Sequence, residues 1–211
     1  LYGFKRIIGI DNIEANNRLS GFSKEAKYPF YHANDNGKGY YYIPIRVDGE
    51  VKAKLTPTDL SAMILGDIKR RLDQLKIKII ATAISTPVYF TSVQQDETRN
   101  AGIMAGFQDP IITKEPIAAC VSYVSDHFFT LDKEEKVMIF DFGGGTLDIS
   151  IVEVSKEASE DGPGKFDSNI IANRFVGNNF LGGENVNTLV YNHFLDIAKA
   201  NGVNVDSISM V

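Results

Sequence analysis

Residues Val137 to Val154 read VMIFDFGGGTLDISIVEV, and this stretch holds the groups best suited to chemistry. Asp141 closes one run of branched and aromatic residues, Asp148 stands near the start of another, and Gly143, Gly144, Gly145 and Thr146 lie between them. A chain that needs only to reverse direction is served by Asn-Gly or Asp-Gly; a third glycine adds unfolded-chain entropy without adding packing. Two explanations are open, a long glycine-rich hairpin turn or a backbone that something approaches closely. Folding back at the glycines brings Asp141 and Asp148 to one end of a sheet with Thr146 between them. Bare glycine amides can meet phosphate oxygens, a threonine hydroxyl can donate a further hydrogen bond, and two carboxylates can hold the waters of an octahedral magnesium ion. A P-loop is excluded because no Gly-Lys-Ser/Thr is present, and a dinucleotide fold wants a helix after the glycines, where this sequence places a strand.

The elements that must carry these groups follow from pattern. In a strand the side chains alternate, so Leu147, Ile149 and Ile151 fall on one face and Asp148, Ser150 and Val152 on the other; the first set is expected to pack while Asp148 points elsewhere. Upstream, the Asn-rich stretch after LYGFKRIIGI reads as irregular, and YYYIPIRVDGEVKAKL reads as a hairpin broken at Asp48-Gly49. Thr56 and Pro57 open a helix whose apolar face holds Leu60, Met63, Ile64, Ile68, Leu72 and Leu75. IIATAISTPVYF predicts a buried strand ending at Pro87, with Thr91 or Ser92 capping a second helix that reaches about Gly106. A short strand, PIIT, leads to Glu115-Pro116 and a third helix, IAACVSYV, whose Cys120 lies on a buried face. Strand alternating with helix is α/β logic.

Beyond the glycine hairpin, KEASEDGPGK reads as a surface loop and NIIANRF as a further strand. Gly182-Gly183 precedes a helix carrying Val186, Leu189, Val190, His193 or Phe194, and Ile197 on one face, closed by Gly202. The charged break LDKEEK marks the domain boundary, giving residues 1–131 and 132–211.

Composition removes several classes. With 211 residues the chain can bury a sizeable core, and its net charge of −5 opposes nucleic acid and anionic membrane. One cysteine permits neither an intramolecular disulfide nor a cysteine-cluster zinc site. No run of eighteen apolar residues and no basic-then-apolar leader is visible, although the start at Leu1 suggests a processed or truncated product, so the missing leader says little about address; the single cysteine fits a reducing compartment, and a cytoplasmic address is the expectation. His32, His127 and His193 lack metal or triad spacing, and no nucleophilic serine motif occurs.

FDFGGGTLDISI resembles the second phosphate motif of the seventy-kilodalton heat-shock chaperones, members of the actin-like ATPase superfamily, and FKRIIG, STPVYF followed by AGIMAGF, KEPIAA and FLGGEN resemble further segments of that family in its order. The resemblance spans almost the whole chain. It implies an α/β fold of the actin-like, ribonuclease H-like kind, covering the end of a first lobe and the start of a second. It also implies ATP or ADP with Mg2+ as cofactors, hydrolysis of ATP, unfolded polypeptides as clients held by a substrate domain, and a J-domain co-chaperone and nucleotide exchange factor as partners. A slow nucleotide-binding relative acting as exchange factor or ribosome-associated co-chaperone is the other class; sugar kinases and actin-like filament proteins share the hairpin but lack the FLGGEN and KEPIAA combination.

Residue by residue, the resemblance gives Lys5 the task of positioning the attacking water and Glu115 that of organising the water and magnesium shell, where an ordinary surface charge and a helix-start acid are the plainer alternatives. Asp141 and Asp148 match the magnesium-water carboxylates, and Gly143, Gly144, Gly145 and Thr146 the phosphate turn. Gly182 and Gly183 match a turn where nucleotide approaches a helix start, with a simple helix-opening turn as the alternative, and Glu184 matches a residue on the adenosine side. Pro87 matches a proline that relays nucleotide state. The family's first phosphate loop precedes the FKRIIG-like segment and its later adenosine segments follow the last residues here, so these 211 residues alone are expected to bind ATP weakly or not at all. Departures from the family pattern stand at Gln95, where a basic residue is usual, at Ile117 and Val124, and at Asn185 and Asn187, where acids are usual.

Overall fold

The computed structural model describes residues 4–10, 30–127, 134–158, 166–178 and 181–205. It is a mixed α/β chain in two compact units, residues 1–118 and 119–211.

The first unit opens with a 3-10 turn at Phe4–Ile7, which buries Arg6 and Ile7 and leaves Lys5 outward. Strands β1 (Tyr31–Asp35), β2 (Lys38–Val47) and β3 (Glu50–Leu55) form an antiparallel sheet in that order. Strand β1 lies in the stretch expected to be irregular. Its turn, Asn36-Gly37, has φ values of 51° and 83°, and Asp48-Gly49 at the next turn has 52° and 82°. Asn-Gly and Asp-Gly tolerate two successive positive φ angles, which is what a two-residue hairpin demands.

Helix α1 (Pro57–Gln74) begins with a complete capping box, in which Thr56 Oγ1 accepts from the Asp59 amide and Asp59 Oδ2 accepts from the Thr56 amide. Of its expected apolar face only Leu60 is buried, whereas Met63, Ile64, Ile68 and Leu75 are exposed. Helix α2 (Ser92–Met104) uses the same device through Thr91 and Gln94, and the Thr58 hydroxyl donates to Glu97 Oε2 at 2.7 Å, tying α1 to α2. Strands β4 (Ala83–Thr86) and β5 (Ile111–Lys114) pair in parallel. The buried strand expected from Ile79 is thus shorter, and Ile80 is 89% exposed; without a partner to hydrogen-bond, an apolar run does not become strand. Gly102 lets α2 approach this pair, since a Cβ there would lie 2.7 Å from Ile84 Cδ1. Helix α3 (Glu115–His127) follows directly from β5 and buries Cys120 completely; the division between the two units falls inside this helix.

In the second unit, β6 (Glu134–Phe142), β7 (Leu147–Ala158) and β8 (Phe166–Asn178) make an antiparallel sheet in sequence order, followed by α4 (Gly183–Ala200). The expected KEASEDGPGK loop is partly strand, because the ladder continues to Ala158 opposite Phe166; residues 159–165 lie outside the described residues. The face expected to pack is the more open one. Asp148, Ser150, Val152 and Val154 are buried, while Met138, Phe140 and Phe142, cross-strand from Ile151, Ile149 and Leu147, are exposed. Both faces of this sheet are rich in apolar residues, so alternation alone does not say which side is covered. No residue of α4 is buried, including Val186, Leu189, Val190, Phe194 and Ile197.

Candidate functional site

The glycine turn is a hairpin in strict register. Asp141 pairs with Asp148 and Phe142 with Leu147, and the Gly143 amide donates to Thr146 O at 2.9 Å to close the turn around Gly144 and Gly145. Directly opposed residues share a face, so the two aspartates expected at one end of the sheet are neighbours there. Asp148 is 5% exposed, and Asp141 is exposed at the strand end.

Two of the three glycines, Gly143 and Gly144, are not demanded by the turn itself. Neither Gly143 nor Gly144 has a positive φ, and an added Cβ would meet nothing within 4 Å at Gly144 and only ordinary contact, 3.6 Å to Thr146 O, at Gly143. The opposite holds at Gly182, where an added Cβ would sit 2.6 Å from the backbone of Gly145 and 2.7 Å from Gly144 C. The start of α4 is therefore pressed against the hairpin. The amide of Gly183 donates to Gly143 O at 2.9 Å and that of Glu184 to Gly144 O at 2.8 Å.

These two bonds orient the turn. In a trans peptide unit the N–H points opposite to the C=O, and the described peptides contain no cis bond. With the carbonyls of Gly143 and Gly144 drawn toward α4, the N–H groups of the same two peptide units point away from it. Amides so turned, on a hairpin that also carries a threonine hydroxyl and two carboxylates, suit a phosphate chain carrying a divalent cation. Among the described residues no group of three or more His, Cys, Asp or Glu side chains is close enough to hold a metal ion directly.

The first unit brings its two expected residues together. Lys5 Nζ lies 2.5 Å from Glu115 Oε1, with Lys5 half exposed and Glu115 17% exposed. Strand β5 delivers Glu115: Thr86 at the end of β4 pairs with Lys114, and the buried Thr86 hydroxyl donates to Thr113 O at 3.3 Å. Pro87 follows, fully buried, in a turn closed by the Phe90 amide on Pro87 O at 3.2 Å, and Gln95 Nε2 donates to Phe90 O at 3.1 Å.

At the start of α4 the Gly183 and Glu184 amides go to the hairpin carbonyls, whereas the Gly182 amide goes to the Asn185 side chain. Sequence reasoning overlooked Asn185 as a structural group. Its Oδ1 accepts the Gly182 amide at 3.0 Å, and the signal available was its place three residues after the helix-opening Gly182, the position of the reciprocal partner in a capping box. A protein-family model described as Hsp70 protein matches residues 1–210, and the chain belongs to the Hsp70 protein family.

Proposed function

We propose that the chain forms part of the nucleotide-binding domain of an ATP-hydrolysing chaperone, whose nucleotide state governs how a separate domain holds unfolded polypeptides. The single observation that carries this is the hairpin at Gly143 to Thr146, where Gly143 and Gly144 satisfy no need of the turn itself and where both of their carbonyls are held by amides of α4. Membership of the Hsp70 family supports it. On this reading residues 1–131 belong to the first lobe of an actin-like ATPase domain and 132–211 open the second, in a cytoplasmic protein that works with a J-domain co-chaperone and an exchange factor.

Mg2+ and ATP, when bound, supply the divalent charge and the phosphoryl group that passes to water. The chain's own groups have separable tasks. The Gly144 and Gly145 amides and the Thr146 hydroxyl would hold phosphate oxygens, and Asp141 and Asp148 would hold the waters of a bound magnesium ion. In the first unit Glu115 would order water, and its contact with Lys5 keeps the lysine ammonium oriented rather than free to rotate through solvent. Positioning and charge stabilisation of this kind supply most of the catalysis of phosphoryl transfer.

Single-turnover ATP hydrolysis by the full-length protein beside Lys5→Ala tests this. The wild type is expected to exceed the variant by about a hundredfold, the scale of losing one transition-state charge contact. Equal rates overturn the enzyme and leave a nucleotide-binding partner, acting as an exchange factor or ribosome-associated co-chaperone. That second reading draws on Gln95, whose neutral amide is tied to Phe90 O in the turn after Pro87.

A further inference from the structure

We infer that Gly182 and Asn185 are positioning residues for the phosphate turn, acting through its backbone rather than touching nucleotide themselves. This rests on the reading of Gly143 to Thr146 as the phosphate site.

The geometry runs in one chain of contacts. Asn185 Oδ1 accepts the Gly182 amide at 3.0 Å, and Gly182 O in turn accepts from the Asn185 and Val186 amides at 2.9 and 3.3 Å, so the first turn of α4 is closed on itself. That closure holds Gly182 where no side chain fits, 2.6 Å from Gly145 for any added Cβ. It also sets the next two amides, Gly183 and Glu184, onto the carbonyls of Gly143 and Gly144.

A glycine-rich loop without these bonds samples many peptide orientations, and each phosphate that binds must first order it. With both carbonyls held, that ordering is complete before nucleotide arrives. The N–H groups that open α4 are consumed by this task, so the anion site belongs to the hairpin and not to the helix end. Asn serves as well as an acid at position 185 because only a side-chain oxygen is required.

The test measures Mg-ATP affinity and hydrolysis in the full-length protein. Asn185→Ala removes one hydrogen bond of preorganisation and is expected to weaken ATP binding about fivefold. Asn185→Asp, which keeps the oxygen, restores it to within about twofold on the same hydrogen-bond scale. Gly182→Ala, which must displace the turn backbone, is expected to lose more than Gly183→Ala, whose Cβ meets Gly144 Cα at an ordinary 3.6 Å. Thermal melts run on each variant separate folding from binding. If folded Asn185→Ala binds Mg-ATP as the wild type does, or if Asn185→Asp fails to rescue the loss, the positioning role is overturned. If the wild type itself fails to bind Mg-ATP, the phosphate-site reading beneath it falls instead.

Discussion

At Gly144 the backbone is bare although nothing in the protein occupies the space, which separates the needs of folding from those of a ligand. Gly144→Ala is expected to leave unfolding stability within about 1 kcal/mol, since the position has room and alanine restricts the unfolded chain. The same change is expected to weaken ATP binding about tenfold by obstructing phosphate approach, a scale set by losing a preorganised backbone contact; calorimetry beside urea denaturation reads both. Cys120 offers a contrasting residue. Burial pushes its thiol pKa up, so the folded protein favours the neutral thiol. Its contribution to stability is complete below the unfolded-state value of about 8.5 and declines as pH rises above it. Alkylation at pH 8 is expected to be at least about a hundredfold slower in the native protein than in urea, because only exposed thiolate reacts.

Among the elements, α1 was the most fully announced by its sequence at one end and the least along its length. Thr56, Pro57 and Asp59 form the box expected of a helix start, and Thr56→Ala is expected to cost about 1 kcal/mol in urea denaturation. Farther along, Arg70 and then Arg71 hold the Asp67 carboxyl below its ordinary value. A depressed carboxylate stabilises above its unfolded pKa and loses that contribution as pH falls through the lowered value. Because Asp67 is solvent-exposed, salt is expected to screen the effect, and melts of Asp67→Asn in low and high salt check this. Strand β1 was missed although Asn36-Gly37 announced its turn: a polar strand such as Tyr31–Asp35 has no hydrophobic alternation, and pairing with β2 alone makes it a strand.

Across the molecule, the net charge of −5 favours solubility while the second unit presents broad apolar surface, with Phe140 60% and Val176 66% exposed on one face of the sheet. Surfaces of that kind attract apolar partners. The 211-residue chain is therefore expected to enhance the fluorescence of an apolar dye, and Phe140→Glu to reduce it; an unchanged signal would mean the face is covered in solution. No helix among the described residues is long and apolar enough to cross a membrane.

The sequence by itself determined what depends on neighbours along the chain: helix starts at Thr56 and Thr91, the hairpin turn at Asp48-Gly49, and the reversal at the glycines that brings Asp141 and Asp148 to one end of a sheet. These follow from backbone sterics and short-range hydrogen bonds, which a few residues specify. Tertiary structure alone decided what depends on distant partners. It chose which face of β7 is covered and brought Lys5 to Glu115 across 110 positions. It also set the amides of Gly183 and Glu184 onto the carbonyls of the glycine turn. Burial and long-range pairing are properties of the surface that arrives from elsewhere in the chain, and no local pattern encodes its position.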